Sequence, residues 1–445
     1  MNLNVRKLAL DAIEKIIDKN GFSNIVIDEY LRKFELSDED RKLFTNLVKG
    51  TIEHFITLEF YLEPFIDMKK TKKYVKYLLC LSIYQLVYLN LPDYAVVNEA
   101  VNIAKSKDRG ITNFVNGVLR NFLRSERRSF DEILGDDIKY LSIKYSCPEW
   151  LIAYLLKDYN KEVVIKILEE SNNPKKESIR VNTLKTNIES VKKELDKLEI
   201  GYEESNIAPD ALILDKPIMN TPLFKKGLIT IQDISSQMVG VISGVKENDV
   251  VIDLCSAPGS KTSHLSALMH NTGKIFACDI YEHKLNLMKK GFKRLGVENV
   301  ALELIDARIV KDHVKSKSFD LVLCDAPCSG LGVISHKVDL KYQITNESID
   351  EVINLQAEIL ESTWNLVKVG GTYIYSTCTI NKEENELNIR RFCKEHSNFI
   401  IEKEIKILPF EYHTDGFYIC KLKRVRWWNQ YMIILKKDLR VISYH

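Results

Sequence analysis

The sequence predicts a multidomain chain: an all-α front, a small α+β unit and an α/β doubly wound sheet. Three observations carry this. Residues 1–130 place apolar side chains at helical spacing with few β-branched alternations, residues 131–232 mix helices with short strands, and from Val250 onward apolar strand-like runs alternate with amphipathic helices. A length of 445 residues leaves room for two to four domains, and 45% hydrophobic with 28% charged is ordinary for a globular chain.

In the front, Leu8, Ile13, Ile16 and Ile17 share one helical face, and Asp38-Glu39-Asp40 introduces the stripe Leu43, Phe44, Leu47 and Val48. Further helices are predicted over 74–90, 95–105 and 111–123. Two basic clusters stand among them: Lys69, Lys70, Lys72, Lys73 and Lys76, then Arg120, Arg124, Arg127 and Arg128. Each has two open readings, a solvated helix end or a phosphate contact.

Residues 131–232 predict helices over 150–170, a turn at Asn172-Asn173-Pro174, a helix over 188–198, and strands at 178–182, 212–214 and 228–232. Their size suits a ferredoxin-like or RRM-like module, without the aromatic run that stacks bases. Residues 233–424 supply VVIDLC, KIFACDI, VALELID, FDLVLCDAP and GTYIYSTC as strands, with a helix over 349–368 before the last. Such continuous apolar runs are buried, mostly parallel strands, which bind ligands at their carboxyl ends. Residues 425–445 add Trp427-Trp428, an apolar stretch at 431–435 and Lys436-Lys437, a tail whose role stays unassigned.

Sixty-four Lys+Arg against 62 Asp+Glu, a formal charge of +2, excludes a polycation or an acidic solvating tail. No apolar run is long enough to span a membrane, and the amphipathic N-terminus lacks a leader's apolar core, so a cytoplasmic protein is expected. Nine cysteines without a C-x-x-C pair argue against a disulfide framework or a zinc ribbon, and no metal site is expected. Cys80, Cys147, Cys278, Cys393 and Cys420 lie in apolar runs and are expected as core thiols.

The first strand of the doubly wound sheet runs into Cys255-Ser256-Ala257-Pro258-Gly259-Ser260-Lys261, small residues that let backbone N–H groups approach a ligand. A phosphate-binding P-loop needs glycines where Cys255 and Ser260 stand, and the dinucleotide glycine pattern is also missing. With Asp253 on the first strand, Asp279, Asp306 and Asp325 complete a carboxylate at four successive strand ends, an arrangement that would ring an adenosyl ligand. Cys328 and Cys378 are then expected at neighbouring strand ends. Carbon 5 of a pyrimidine is a poor nucleophile until a thiolate adds to carbon 6, so a cysteine is what its alkylation requires.

DLCSAPGSKT, DAPCSG and STCT, with Arg180-Val181-Asn182, Gln232-Asp233-Ile234-Ser235-Ser236-Gln237 and His413-Thr414-Asp415-Gly416-Phe417-Tyr418, resemble the Nol/Nop/Sun family of RNA cytosine-5 methyltransferases over residues 178–424. Val97-Asn98-Glu99-Ala100-Val101 and Phe114-Val115-Asn116-Gly117-Val118-Leu119-Arg120 resemble NusB, an RNA-binding transcription factor. The combination is similar to the bacterial branch of that family that methylates a cytosine of 16S rRNA.

The resemblance implies a NusB-like domain, an RRM-like domain and a Rossmann-like class I domain dependent on S-adenosylmethionine. It implies that Cys255, Ser256, Ala257, Pro258, Gly259, Ser260 and Lys261 wrap the cofactor's methionine part, that Asp279 holds the ribose and that Asp306 lies by the adenine. Asp325 would lie between cofactor and cytosine, Cys378 would be the nucleophile and Cys328 would assist release. Ser256 and Ser260 replace the family's commonest Ala and Gly. Lys261 has two open roles, lowering the Cys378 pKa or packing its stem over the loop. The implied partner is 16S rRNA, free or in an early assembly intermediate, bound by a monomer with no DNA or membrane partner. The alternatives are another RNA (tRNA or 23S rRNA), a small-molecule or protein methyltransferase, and a non-catalytic RNA-binding protein.

Overall fold

The computed structural model describes residues 4–173, 175–314 and 318–426, and the tail motifs from Trp427 onward lie outside the described residues. Contacts divide the chain into two compact units, Met1–Asn173 with Ile334–Ile344, and Pro174–Val333 with Thr345–His445.

The first unit is helical. Its front helices run Val5–Asp18, Ser23–Lys33, Asp38–Glu53, Phe55–Leu62, Lys73–Val87, Asp93–Lys107 and Thr112–Arg124. Ser37 caps the third by accepting from Asp40 N–H, and the acids at 38–40 oppose the positive end of the helix dipole. Lys73–Val87 is buried on nearly every side, which is why its sequence is apolar all round rather than striped. The helices expected over 150–170 are Glu149–Asp158 and Lys161–Ser171, preceded by Asp137–Tyr145.

The segment 334–344, far away in sequence, completes this unit. Val338 joins its core, Lys341 is buried and donates to the Glu53 carbonyl at 2.8 Å, Tyr342 donates to the Ser146 carbonyl at 3.0 Å, and Gln343 donates to the Gly21 carbonyl at 3.0 Å. Burial pulls the Lys341 ammonium down to about 8 and pushes the Glu53 carboxyl up to about 7. Both basic clusters are partly neutralised within the unit. Lys70, Lys72 and Lys73 pair with Asp67, Asp108 and Asp18, while Arg128 pairs with Glu63 and Glu132 and covers the Phe60 ring.

The second unit holds two sheets. The small one is antiparallel, built from β1 (Glu177–Val181), β2 (Tyr202–Glu204), β3 (Ala211–Leu214) and β4 (Ile229–Ile231) in the order β2-β3-β1-β4. The helix Ile188–Lys197 turns Val191 and Leu195 into its core. β2 escapes the sequence reading because only three residues pair and two of them are exposed.

The large sheet contains β5 (Val250–Asp253), β6 (Lys274–Asp279), β7 (Val300–Leu304), β8 (Phe319–Asp325), β9 (Val367–Thr377), β10 (Phe399–Ile407) and β11 (Phe417–Arg424), in the order β10-β11-β9-β8-β5-β6-β7. β7, β6, β5, β8 and β9 run parallel, and the β10–β11 hairpin adds antiparallel to β9. Strand order reverses between β5 and β8, so this is the switch point where such sheets open a crevice. Along β8, Leu321 and Leu323 enter one core cluster while Val322 and Cys324 enter the other. Both faces are covered, hence the unbroken apolar runs.

Two expectations are corrected. The predicted helix over 349–368 is shorter: Asn346–Thr363, opened by a Thr345/Ser348 capping box, followed by a turn and then β9 from Val367. Cys393 is half-buried rather than a core thiol. The β10–β11 hairpin was not expected either.

Gly50, inside the helix Asp38–Glu53, makes room for Tyr84 of the helix Lys73–Val87, since a Cβ there would lie 1.9 Å from the Tyr84 hydroxyl. Replacing it with Ala gains about 1 kcal/mol of helix propensity, but the overlap costs about 1–3 kcal/mol or more. Gly50→Ala is therefore expected to lower the thermal midpoint of the helical unit, read by circular dichroism.

Candidate active site

The loop after β5 is held from both sides. Thr262 donates to Asp253 Oδ2 at 2.7 Å, tying the helix Ser260–Leu268 back to the strand, and Ser256 donates to the Cys278 carbonyl through both N–H (2.9 Å) and Oγ (2.8 Å), tying the loop to β6. Gly259 has φ +95°, and a Cβ there would lie 2.9 Å from the Phe292 ring and 3.1 Å from Met288. Only glycine lets the loop lie against the helix Glu282–Leu295, which carries both side chains. Cys255 meets Cys324, and that contact with burial pushes its thiol well up. It packs against the sheet core, so it offers the loop surface its backbone.

The four expected strand-end carboxylates divide. Asp279 ends β6 and accepts from Tyr281 N–H at 2.9 Å, and Ile280 and Tyr281 beside it expose 54% and 47% of their surface as an apolar ledge. Asp325 ends β8. Asp253 is buried beneath the loop, where burial raises its carboxyl to about 7. Asp306 does not end a strand: β7 stops at Leu304, and Asp306 caps the following turn and grips Arg308 at 2.7 Å, a hydrogen-bonded pair that holds its carboxyl low. Of the expected four, Asp253, Asp279 and Asp325 do end their strands, with Asp253 buried under the loop, and Asp306 is a cap instead.

Pairing of β8 with β9 sets Asp325 opposite Ser376, and Ala326 N–H donates to the Ser376 carbonyl at 2.8 Å. The loops leaving these two strands bring the thiols together, with Cys328 Sγ 3.2 Å from Cys378 Sγ. Asp325 Oδ1 accepts from Ser376 Oγ at 2.7 Å and Oδ2 from Lys261 Nζ at 2.6 Å, and Lys261 also lies 5.2 Å from the Phe417 ring centre. Burial opposes the Lys261 charge, but Asp325 outweighs it and the ammonium is held above its ordinary value, with Cys378 adding to the same field. Cys328 is driven well up, first by its hydrogen bond to Cys378, then by burial and by the nearby Cys378, Glu384 and Asp325 charges. Cys328 is therefore kept as a neutral thiol.

Sequence reasoning missed Glu384, a fully buried carboxylate between the two thiol loops. It stands in a polar run, Asn381-Lys382-Glu383-Glu384-Asn385, that reads as a solvated loop. Its only cue is the position of that run directly after a strand-end cysteine.

A doubly wound sheet with a glycine cradle after its first strand and an acid ending its second defines a Rossmann-like methyltransferase fold. Family models agree on all three modules: 16S rRNA methyltransferase RsmB/F matches residues 241–423, the NusB family matches 3–124, and the RsmF/B-like ferredoxin-like domain matches 147–221. The chain belongs to the RsmB/F methyltransferase family. It is 37% identical over 441 residues to a probable ribosomal RNA small subunit methyltransferase B of Bacillus subtilis, covering 94% of this chain and 98% of that one. Among solved structures, that of PH0851 covers 95% of this chain and all of its own at TM-score 0.80 and 25% identity. NSun6 from Pyrococcus horikoshii with SFG covers 63% of this chain and 98% of its own at TM-score 0.58 and 25% identity.

The Asp253 carboxyl carries its own pH signature. Its folded value, about 7, lies above the ordinary 3.8, so the native state holds the proton more tightly and stability is lost as pH rises from about 4 to 7. Asp253→Asn is expected to match the parent near pH 4 and to exceed it by about 1–4 kcal/mol at pH 8, measured by urea unfolding.

Proposed function

We propose that this protein methylates carbon 5 of a cytosine in 16S rRNA, using S-adenosylmethionine and a covalent Cys378–C6 adduct. The observation that carries the reading is the pair of thiols 3.2 Å apart beside the Lys261–Asp325 ion pair. A thiol pair has no use in methylating an oxygen or an amine, whereas pyrimidine carbon 5 requires one thiolate to enter and leave. The RNA is 16S rRNA, free or in an early assembly intermediate, bound by a monomer in the cytoplasm, with the NusB-like domain contributing contacts through the basic residues left unneutralised.

The residues present fit the cofactor. The backbone from Cys255 to Lys261, which Gly259 lets lie tightly against Phe292 and Met288, would hold the methionine part. Asp279 would take the ribose hydroxyls, and the ledge of Ile280 and Tyr281 would take the adenine, with Asp306 acting through Arg308 at its rim. S-adenosylmethionine supplies an electrophilic methyl group on a sulfonium.

The target base is unstacked from its helix to reach the strand ends. The Cys378 thiolate adds to carbon 6, and the Cys328 S–H, held neutral, donates to the attacking sulfur and favours its anionic form. Negative charge develops at N3 of the ring, and Asp325 delivers a proton to it that the hydrogen-bonded Lys261 ammonium gives up. Lys261 thereby takes an electrostatic role beyond packing. Carbon 5 then takes the methyl group, its proton passes to water, the Cys378 sulfur leaves as the thiolate with Cys328 beside it to assist, and N3 returns its proton to the Asp325–Lys261 pair.

Methyl transfer from labelled cofactor to 16S rRNA, tRNA, 23S rRNA, DNA and protein, followed by bisulfite mapping, tests the substrate. Label at carbon 5 of a 16S cytosine is expected, and label confined to DNA or protein would overturn the reading. Cys378→Ala is expected to reduce methylation below about 10⁻³ of wild type. Cys328→Ala is expected to accumulate protein–RNA adduct on denaturing gels. The reverse pattern would exchange the two roles.

A further inference from the structure

We propose that Glu384 is the positioning residue that locks the two thiol loops into one arrangement, an inference that rests on the thiol chemistry proposed above. Its side chain is fully buried. Oε2 accepts from Ser329 N–H at 2.8 Å and from Gln356 Nε2 at 3.0 Å. Oε1 accepts from Asn381 Nδ2 at 3.0 Å, from Thr379 Oγ1 at 3.3 Å and from Ser329 Oγ. Ser329 follows Cys328 and Thr379 follows Cys378, and their hydroxyls meet at 2.8 Å. Gln356, on the helix Asn346–Thr363, also donates to the Pro327 carbonyl at 2.8 Å, so one helix, both loops and one carboxylate form a single network.

The arrangement asks for a carboxylate rather than for any polar group of the same shape. Ser329 N–H and Gln356 Nε2 on one oxygen and Asn381 Nδ2 on the other can only donate, so an amide in either orientation would turn an N–H toward a donor. A buried network of this kind is rigid when complete and costly when one member is mismatched. Rigidity is what the thiols need. The backbone distance between β8 and β9 sets their approach only roughly, and a misplacement of about 1 Å at a reacting atom can cost about 10²-fold in rate. Glu384 also adds to the charges that raise the Cys328 thiol and keep it neutral.

The full chain carrying Glu384→Gln tests this by two readouts. The first needs no RNA: bridging of Cys328 to Cys378 by dibromobimane, located by peptide mass, is expected to slow at least about 10-fold while monofunctional alkylation of the two thiols persists. In the second, kcat for RNA methylation is expected to fall about 10²-fold with KM for S-adenosylmethionine changed less than about two-fold. If Glu384→Gln does not fold, Ser329→Ala, which keeps the carboxylate and removes one donor, carries the test with an expected bridging loss of about three-fold. Unchanged bridging in the folded variant, or activity lost only in proportion to unfolded protein, would overturn the proposal. A wild-type chain that bridges its thiols through Glu384 yet methylates no RNA would sink the RNA reading and leave the positioning role standing.

Discussion

The parallel pairing of β8 with β9 is the constraint on which the site depends. Asp325 and Ser376 face each other across it, the Ser376 hydroxyl fixes the carboxylate, and the chain leaves both strands within a few residues of a cysteine. A slip of one residue would turn every side chain to the opposite face and separate the sulfurs. The register is protected because each face of these strands enters a packed core: Leu323 and Ile374 on one side, Cys324 and Tyr375 on the other. The reactive geometry is thus inherited from burial of apolar side chains that take no part in the chemistry.

Electrostatics then distinguishes groups that the backbone places alike. Asp253, Asp279 and Asp325 all end strands, yet one is sealed under the loop, one is anchored by a neighbouring N–H, and one is shared between an ammonium and a hydroxyl. The two cysteines differ in the same manner, since Cys328 faces the negative side of the cluster while Lys261 carries the positive charge near Cys378.

The parts of the molecule legible in the sequence are those where local pattern and burial agree. Buried parallel strands advertise themselves as apolar runs, and the Gly259 loop and both cysteines stand directly at their ends. What escaped notice depends on distant partners. β10 carries four exposed residues in a row, so its alternation is faint, and Asp306 falls two residues past its strand because Arg308 captures it as a cap. Glu384 is hidden for the strongest reason: burying a carboxylate is unfavourable unless several donors converge on it, and those donors lie in three separate stretches of chain. The ends of the basic clusters were equally unreadable, because acids that neutralise them, such as Asp18 and Glu63, belong to other helices.

The segment 334–344 bears on how the chain can be born. The helical unit draws Val338 and Lys341 into itself, yet these residues are translated long after Asn173. At about 5–20 residues per second, the first helices wait on the order of 10–30 s for the piece that completes their core. During that interval the loop of Cys328 is also being made, so closure of the helical unit and arrival of the paired thiols fall in the same short window of synthesis. The helical half is an early domain by sequence and a late one by assembly.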